Sequence, residues 1–120
     1  MSDQTVHLID DDDGVREALT LLLAEEGFTV RSYKSAVDFL AGVGTAQPGC
    51  IVSDIRMPGL DGLELQARLR AEGSAAPIIF ITGHGDVPMA VQALRAGALD
   101  FIEKPFDDAH LLDSILRALA

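Results

Sequence analysis

The sequence predicts an α/β fold in which five parallel strands alternate with five helices. Five short apolar runs are separated by segments whose apolar residues recur at helical spacing. The apolar runs are continuous, which is typical of strands in a parallel sheet that helices cover on both faces. The connections are short, and no repeat or linker interrupts the 120 residues. We therefore expect one domain that spans residues 1–120.

Two strand–helix pairs are expected in the first third of the chain. Val6–Ile9 is an apolar run that ends at four consecutive aspartates, and the helix after it is expected to end at Gly27. Phe28–Arg31 is the second predicted strand. Ser35 is then a candidate N-cap for a short amphipathic helix, and residues 44–49 are expected to form a loop.

The third and fourth strands are expected at Cys50–Ser53 and Ile78–Ile81, the second of which is introduced by Pro77. Between them, residues 57–62 are expected to form a loop because Met-Pro-Gly breaks the strand. A helix follows that loop and is expected to end near Gly73.

The last third of the chain begins with residues 82–86, whose two glycines indicate a flexible loop. Val87–Ala96 is a predicted helix of small residues that Gly97 ends, and Leu99–Ile102 is the fifth predicted strand. Asp107 is expected to cap the final helix. The apolar face of that helix is expected to consist of Leu111, Leu112, Ile115, Leu116 and Leu119.

The composition limits the possible partners. Nineteen acidic and nine basic residues give a formal net charge of −10, which argues against nucleic-acid binding by the chain itself and favours a cation or a basic protein partner. No apolar run approaches the roughly 18 residues that span a bilayer, so a cytoplasmic protein with no membrane partner is expected. The single cysteine, Cys50, excludes an internal disulfide and is expected in the core.

Polar residues stand where four of the predicted strands end: Asp10 to Asp13, Asp54, Thr82 and Lys104. Because the carboxyl ends of parallel strands meet at one edge of the sheet, these groups are expected to converge although they are far apart in sequence. No single motif among these is enough to predict a functional site, but their expected convergence at one edge of the sheet predicts one.

Clustered carboxylates repel one another, and a divalent cation removes that repulsion. Mg²⁺ prefers oxygen ligands and keeps several waters, so Mg²⁺ or Mn²⁺ is the expected ion. Asp11 and Asp54 are the expected direct ligands, Asp10 is expected to act through water, and the backbone carbonyl of Arg56 is expected to complete the set.

Asp12 and Asp13 are expected to begin the first helix, where negative charge meets the helix dipole. The acidic run has two alternative interpretations, and one is a solvated acidic loop with capping roles. The other is a calcium-binding EF-hand, which fails because the register that suits Gly14 puts Ile9 at its first position and Thr20 at its twelfth.

A carboxylate at a strand end beside a cation is a candidate nucleophile, so Asp54 is expected to accept a phosphoryl group. Lys104 would supply a positive charge for a phosphoryl oxygen, and Thr82 a hydroxyl that hydrogen-bonds the new group. A surface cation and a strand-end cap are the plain alternatives for these two residues. Aspartyl phosphatases need a second Asp two residues after the nucleophile, where this chain has Arg56.

Four segments together resemble the receiver domain of two-component response regulators: LIDD at 8–11, SDIRMP at 53–58, FITG at 80–83 and DFIEKPF at 100–106. The segment TGHGDVPMAV at 82–91 resembles a narrower group, the FixJ-like and DctD-like regulators. The resemblance covers the chain from about Val6 to its end.

The resemblance implies a flavodoxin-like, doubly wound sheet with strand order 2-1-3-4-5. It implies a sensor histidine kinase as phosphoryl donor, self-catalysed transfer and hydrolysis without turnover of a separate small molecule, and a cis peptide between Lys104 and Pro105. It also implies a switch in which Thr82 moves toward the phosphoryl group and Phe101 turns inward.

We expect the switch to be read out at the fourth helix and fifth strand, at Val91, Arg95, Leu99 and Phe101, and the hypothesis is that this face forms a phosphorylation-dependent homodimer. An ordinary amphipathic surface is the alternative. The expected output is control of transcription through a C-terminal domain absent from this sequence; a stand-alone receiver that passes phosphate or acts on a protein partner is the second hypothesis. A flavin or nucleotide carrier lacks the necessary Gly-rich loop, and a phosphorelay role for His84 is rejected because it lies in a loop.

Overall fold

A computed structural model describes residues 4–43, 49–83 and 86–120. The strands are β1 (Thr5–Ile9), β2 (Thr29–Tyr33), β3 (Cys50–Asp54), β4 (Ile78–Thr82) and β5 (Asp100–Glu103). The helices are α1 (Asp13–Glu25), α2 (Ala36–Val43), α3 (Gly62–Ala71), α4 (Val87–Arg95) and α5 (Asp108–Leu119). The predicted alternation of strand and helix is confirmed. Most of the loop predicted at 44–49, and His84, lie outside the described residues.

All strand pairs are parallel, and the order across the sheet is β2-β1-β3-β4-β5. The flavodoxin-like topology expected from the resemblance is therefore confirmed. From β1 the chain first moves to β2 at one edge and then returns to β3 on the other side of β1. The carboxyl ends of β1 and β3 consequently flank the crevice where open α/β sheets bind ligands.

Two hydrophobic clusters cover the two faces of the sheet. Leu23 of α1 and Ile115 of α5 belong to the cluster on one face. Phe39 of α2, Leu65 of α3 and Ala93 of α4 belong to the cluster on the other. Cys50 is fully buried in the first cluster, as expected. None of the helices in the described part of the chain has the length and apolar character that a bilayer crossing requires.

The bounds of the two edge strands differ from the prediction by one or two residues. The sequence predicts a strand over Phe28–Arg31, but the backbone N–H of Phe28 donates to the carbonyl of Leu23 and closes the end of α1. Similarly, Leu99 precedes β5, although its N–H already donates to the carbonyl of Ile78. An apolar residue at a strand edge is therefore not always part of the strand, because helix ends also bury such residues.

Three aspartates cap the helices that follow the carboxyl ends of β1, β3 and β5. Asp12 accepts from the Val15 N–H at 3.1 Å and begins α1, and Asp107 caps α5, both as expected. The predicted helix α3 begins at Gly62, the last residue of the loop predicted over 57–62, and Asp61 and Glu64 form a capping box there with bonds of 2.9 and 3.1 Å. The Asp-x-x-Glu spacing was the available signal for this start.

Gly62 allows α3 to begin close against the end of β3. A Cβ at this position would lie 2.7 Å from Cε1 of Phe80 and 2.9 Å from Cα of Ile55. The second of these atoms belongs to the backbone directly after Asp54 and cannot turn aside. The missing side chain of Gly62 thus sets the packing distance between α3 and the strand that carries Asp54.

We expect Gly62→Ala to lower the free energy of unfolding by about 1–3 kcal/mol because the added methyl group overpacks this contact. Gly14→Ala is the matched control, since its Cβ would approach only a side-chain oxygen of Asp12 at 3.4 Å. That variant should be neutral or more stable by about 0.5–1 kcal/mol. Urea denaturation of both variants measures the difference, and equal stabilities would contradict the packing argument.

Candidate functional site

Three carboxylates meet at the carboxyl ends of β1 and β3. Ile9 and Ser53 are paired across these strands, so Asp10 and Asp54 follow them side by side. One carboxylate oxygen from each of Asp10, Asp11 and Asp54 lies within 4.8 Å of the others. Asp10 is buried, Asp54 is half-buried and Asp11 is exposed. The structure therefore brings together the three predicted acidic residues with one side open to solvent.

Backbone N–H groups hold one oxygen of each of the two less exposed carboxylates. Oδ1 of Asp10 accepts from the N–H of Asp12 at 2.9 Å. Oδ1 of Asp54 accepts from the N–H of Arg56 at 3.1 Å. These bonds fix the rotation of both carboxylates and leave each Oδ2 free to face the site.

Lys104 lies between the two Oδ2 atoms. Its Nζ is 3.7 Å from Oδ2 of Asp10 and 3.6 Å from Oδ2 of Asp54, so one ammonium is shared by two acids. The backbone brings it there because Lys104 follows β5 and donates its N–H to the carbonyl of Thr82 at 2.8 Å. The Lys104–Pro105 peptide is cis, as the resemblance implied.

The positive charge of Lys104 does not fully offset the cost of burying the acids. Burial raises the pKa of Asp54, against the opposing effects of the Arg56 N–H and of Lys104. Burial likewise raises the pKa of Asp10, and the neighbouring charge of Asp54 adds to this effect. Even with Lys104, the cluster therefore contains more negative than positive charge. Its possible metal ligands are all oxygens, which Mg²⁺ prefers.

Arg16 fixes the acidic segment from the side of α1. Its Nη1 donates to the carbonyl of Asp10 at 2.8 Å, and its Nη2 contacts Asp13 at 2.5 Å. Arg16 was not among the site residues predicted from the sequence. The spacing from Asp13, three residues along a helix, was the only available signal, and it is common on solvated helices.

Thr82 lies at the end of β4 and is fully buried. Its hydroxyl donates to Oδ2 of Asp86 at 2.8 Å and lies 3.2 Å from the carbonyl of Gly83. Within the described residues, no hydrogen bond joins this hydroxyl to Asp54. The Thr82 hydroxyl thus lies on β4, the strand beside β3, but it is bonded to Asp86 and not to the carboxylate of Asp54.

Asp86 is the functional candidate that the sequence did not reveal. Its carboxylate is buried and forms an ion pair between Oδ1 and Nε of Arg56. The hydrogen bonds from Arg56 and Thr82 hold the pKa of Asp86 below its ordinary value. Arg56 therefore has a defined partner, although its side chain is 67% exposed.

The residues of the predicted readout face lie on α4, directly before β5 and in β5. Val91, Arg95 and Leu99 are exposed. Phe101, in β5, is partly buried against the cluster that also contains Phe80. These positions allow the predicted roles without testing them.

The family model described as the response regulator receiver domain matches residues 6–116. The transcriptional regulatory protein FixJ of Azorhizobium caulinodans is 51% identical over 114 residues, which are 95% of this chain and 54% of that protein. The C4-dicarboxylate transport transcriptional regulatory protein DctR of Rhodobacter capsulatus is 47% identical over 118 residues, which are 97% of this chain and 60% of that protein.

A crystal structure of FixJ-N matches with a TM-score of 0.91 and 48% identity, and the match covers 98% of this chain and 94% of that one. The chain therefore spans only between about half and three-fifths of the length of these two curated relatives.

In the metal-free protein, we expect Asp54→Asn to raise the free energy of unfolding at pH 7. Burial raises the pKa of Asp54 above that of the unfolded chain, so ionisation of this carboxyl destabilises the folded state. Below the unfolded-state pKa of about 3.9 the carboxyl is protonated in both states, and the difference should disappear.

Urea denaturation in the presence of EDTA, at pH 7 and at pH 3, measures this effect. Asp38→Asn, at an exposed position of α2, is the control and should change little at either pH. A loss of stability in Asp54→Asn at pH 7 would show that Lys104 already overcompensates the charge.

Proposed function

The chain belongs to the response regulator receiver domain family of two-component systems, with relatives of the FixJ type, and from this membership we propose that it accepts a phosphoryl group on Asp54. One observation carries the proposal: the half-buried carboxylate of Asp54 lies 3.6 Å from the ammonium of Lys104 and beside two further carboxylates. We propose that residues 1–120 form this receiver domain.

The residues divide the transfer step between them. A carboxylate oxygen of Asp54 attacks phosphorus, and the bond from phosphorus to the donor breaks as the new P–O bond forms. The N–H of Arg56 keeps the carboxylate oriented, and Lys104 stabilises negative charge on a phosphoryl oxygen. We propose a phosphohistidine of a sensor histidine kinase as the donor.

Asp11 and Asp54 would hold Mg²⁺ or Mn²⁺ directly, with Asp10 acting through water and the Arg56 carbonyl completing the protein ligands. The all-oxygen donor set and the unrelieved negative charge of the cluster fit such an ion. When bound, the ion neutralises the carboxylates and stabilises charge on the transferring phosphoryl group. Later hydrolysis regenerates Asp54, so no separate substrate is turned over.

Incubation with Mg²⁺ and acetyl phosphate should add one phosphate to the protein. Intact mass spectrometry measures the gain, and both EDTA and Asp54→Asn should abolish it. Asp38→Asn is the matched control and should be labelled like the wild type. Persistence of the label in Asp54→Asn would assign the acceptor to another residue and contradict the proposal.

We propose that the phosphorylated domain controls transcription through an output segment, because the two longer curated relatives, of which the match covers 54% and 60%, are transcriptional regulatory proteins. The net charge of −10 supports a role in which this domain does not itself contact nucleic acid. A stand-alone receiver remains the second candidate, and the gene beyond Ala120 distinguishes the two.

The exposed face formed by Val91, Arg95 and Leu99 supports the proposed phosphorylation-dependent homodimer. Val91 is 41% exposed and Leu99 is 38% exposed, although both are apolar. Arg95 follows Val91 by one helical turn and adds a charge for pairing across the interface. Leu94 of α4 is a further exposed apolar residue.

Beryllofluoride, a stable substitute for the phosphoryl group on a carboxylate, should convert the wild type to a dimer in sedimentation at high protein concentration. Val91→Glu should remain monomeric while still binding beryllofluoride, because it introduces a charge into the apolar face. Leu21→Glu, at a 65% exposed position of α1, is the matched control and should dimerise. Equal sedimentation of the free and treated wild type would contradict the dimer proposal.

A further inference from the structure

Asp86 occupies the N-cap position of α4, but its carboxylate does not cap that helix. No side-chain capping bond is formed there, and Pro88 removes one of the first backbone donors of α4. Both carboxylate oxygens are directed to other elements, Oδ1 to Arg56 and Oδ2 to the hydroxyl of Thr82. A role in starting α4 therefore does not explain these contacts.

The bond from Thr82 to Asp86, with the carbonyl of Gly83 as a second and longer acceptor at 3.2 Å, directs the Thr82 hydroxyl hydrogen away from Asp54. A hydroxyl carries a single hydrogen, and it is donated here at 2.8 Å to a charged oxygen. Both residues are buried, with exposed fractions of 0% for Thr82 and 5% for Asp86, so water does not compete freely for the bond. A hydrogen bond to an ionised acceptor is stronger than one between neutral groups.

Arg56 connects this bond to the phosphoacceptor. Its backbone N–H donates to Oδ1 of Asp54, and its guanidinium pairs with Oδ1 of Asp86. An unbroken series of contacts therefore runs from Asp54 through Arg56 and Asp86 to Thr82. The sequence separation of 30 residues between Arg56 and Asp86 shows that the fold, not local helix geometry, creates the pair.

We propose that Asp86 is a positioning residue that holds the Thr82 hydroxyl away from Asp54 in the unmodified protein, and that Arg56 fixes Asp86 in this position. The proposal rests on the proposed function, because the contact between Asp86 and Thr82 would oppose the switch until Asp54 is phosphorylated. A phosphoryl group adds roughly −1.5 to −2 charge and three acceptor oxygens, which compete with Asp86 for the Thr82 hydroxyl. Because the unmodified arrangement must first be broken, it lowers the apparent affinity of the protein for a phosphoryl substitute bound at Asp54.

The hold on Thr82 is tested first without metal or phosphoryl. Three-bond couplings to the Thr82 methyl group, measured by NMR, report the rotamer of this side chain. The wild type should show one rotamer, and Asp86→Ala should show averaging among rotamers. Asp38→Ala, which removes the same carboxylate from an exposed position of α2, should behave like the wild type. A single unchanged rotamer in Asp86→Ala overturns the proposal.

The effect on the switch is tested by calorimetric titration with beryllofluoride and Mg²⁺. Asp86→Ala should bind about tenfold more tightly than the wild type, because the competing hydrogen bond is lost. Removal of a negative charge also favours an anion, and a double-mutant cycle with Thr82→Val separates this contribution. In the Thr82→Val background, the gain from Asp86→Ala should shrink to the charge effect alone.

An equal gain in both backgrounds, or no gain in either, overturns the proposal. Failure of the wild type to bind beryllofluoride overturns the proposed function instead, and the rotamer measurement still decides whether Asp86 holds Thr82. If Asp86→Ala does not fold, Asp86→Asn keeps the size of the side chain and weakens the acceptor. It should show the same direction of change in both measurements, with a smaller gain in affinity.

Discussion

The ammonium group of Lys104, shared between Asp10 and Asp54, is the interaction on which the site depends. Both acids are largely removed from water, and burial alone would favour their protonated forms. One positive charge between two carboxylates opposes this effect but leaves the cluster short of positive charge. This imbalance fits the proposed divalent cation, which would offset the carboxylates and the negative charge of a phosphoryl donor.

The parallel sheet creates this arrangement from residues that are far apart in sequence. β1 and β3 place Asp10 and Asp54 side by side at the switch point, and the residue after β5 carries Lys104 to the same edge. β4 lies between β3 and β5, so its last residue, Thr82, is next to the site by topology alone. The same edge therefore contains both the group proposed to be modified and the group proposed to respond.

Much of the fold and of the acidic site could be predicted from the sequence, because strand ends in a parallel sheet share an edge. The continuous apolar runs predicted the sheet. The positions of Asp54 and Lys104 after two of these runs predicted that both lie at the same edge of the sheet. The pair formed by Arg56 and Asp86 could not be predicted, since no periodicity relates a loop residue after β3 to one before α4. An Asp before Val-Pro resembles a helix cap, and only the tertiary structure shows that its carboxylate bonds elsewhere.

The most direct test of the central claim is a crystal structure of the protein grown with Mn²⁺ and beryllofluoride, because Mn²⁺ has an anomalous signal that locates it without ambiguity. The account predicts an anomalous peak among the carboxylates of Asp10, Asp11 and Asp54, and beryllofluoride bound to Asp54 within reach of Lys104. A peak at another place on the surface, or an Asp54 carboxylate that stays unmodified while Lys104 points away, would contradict it.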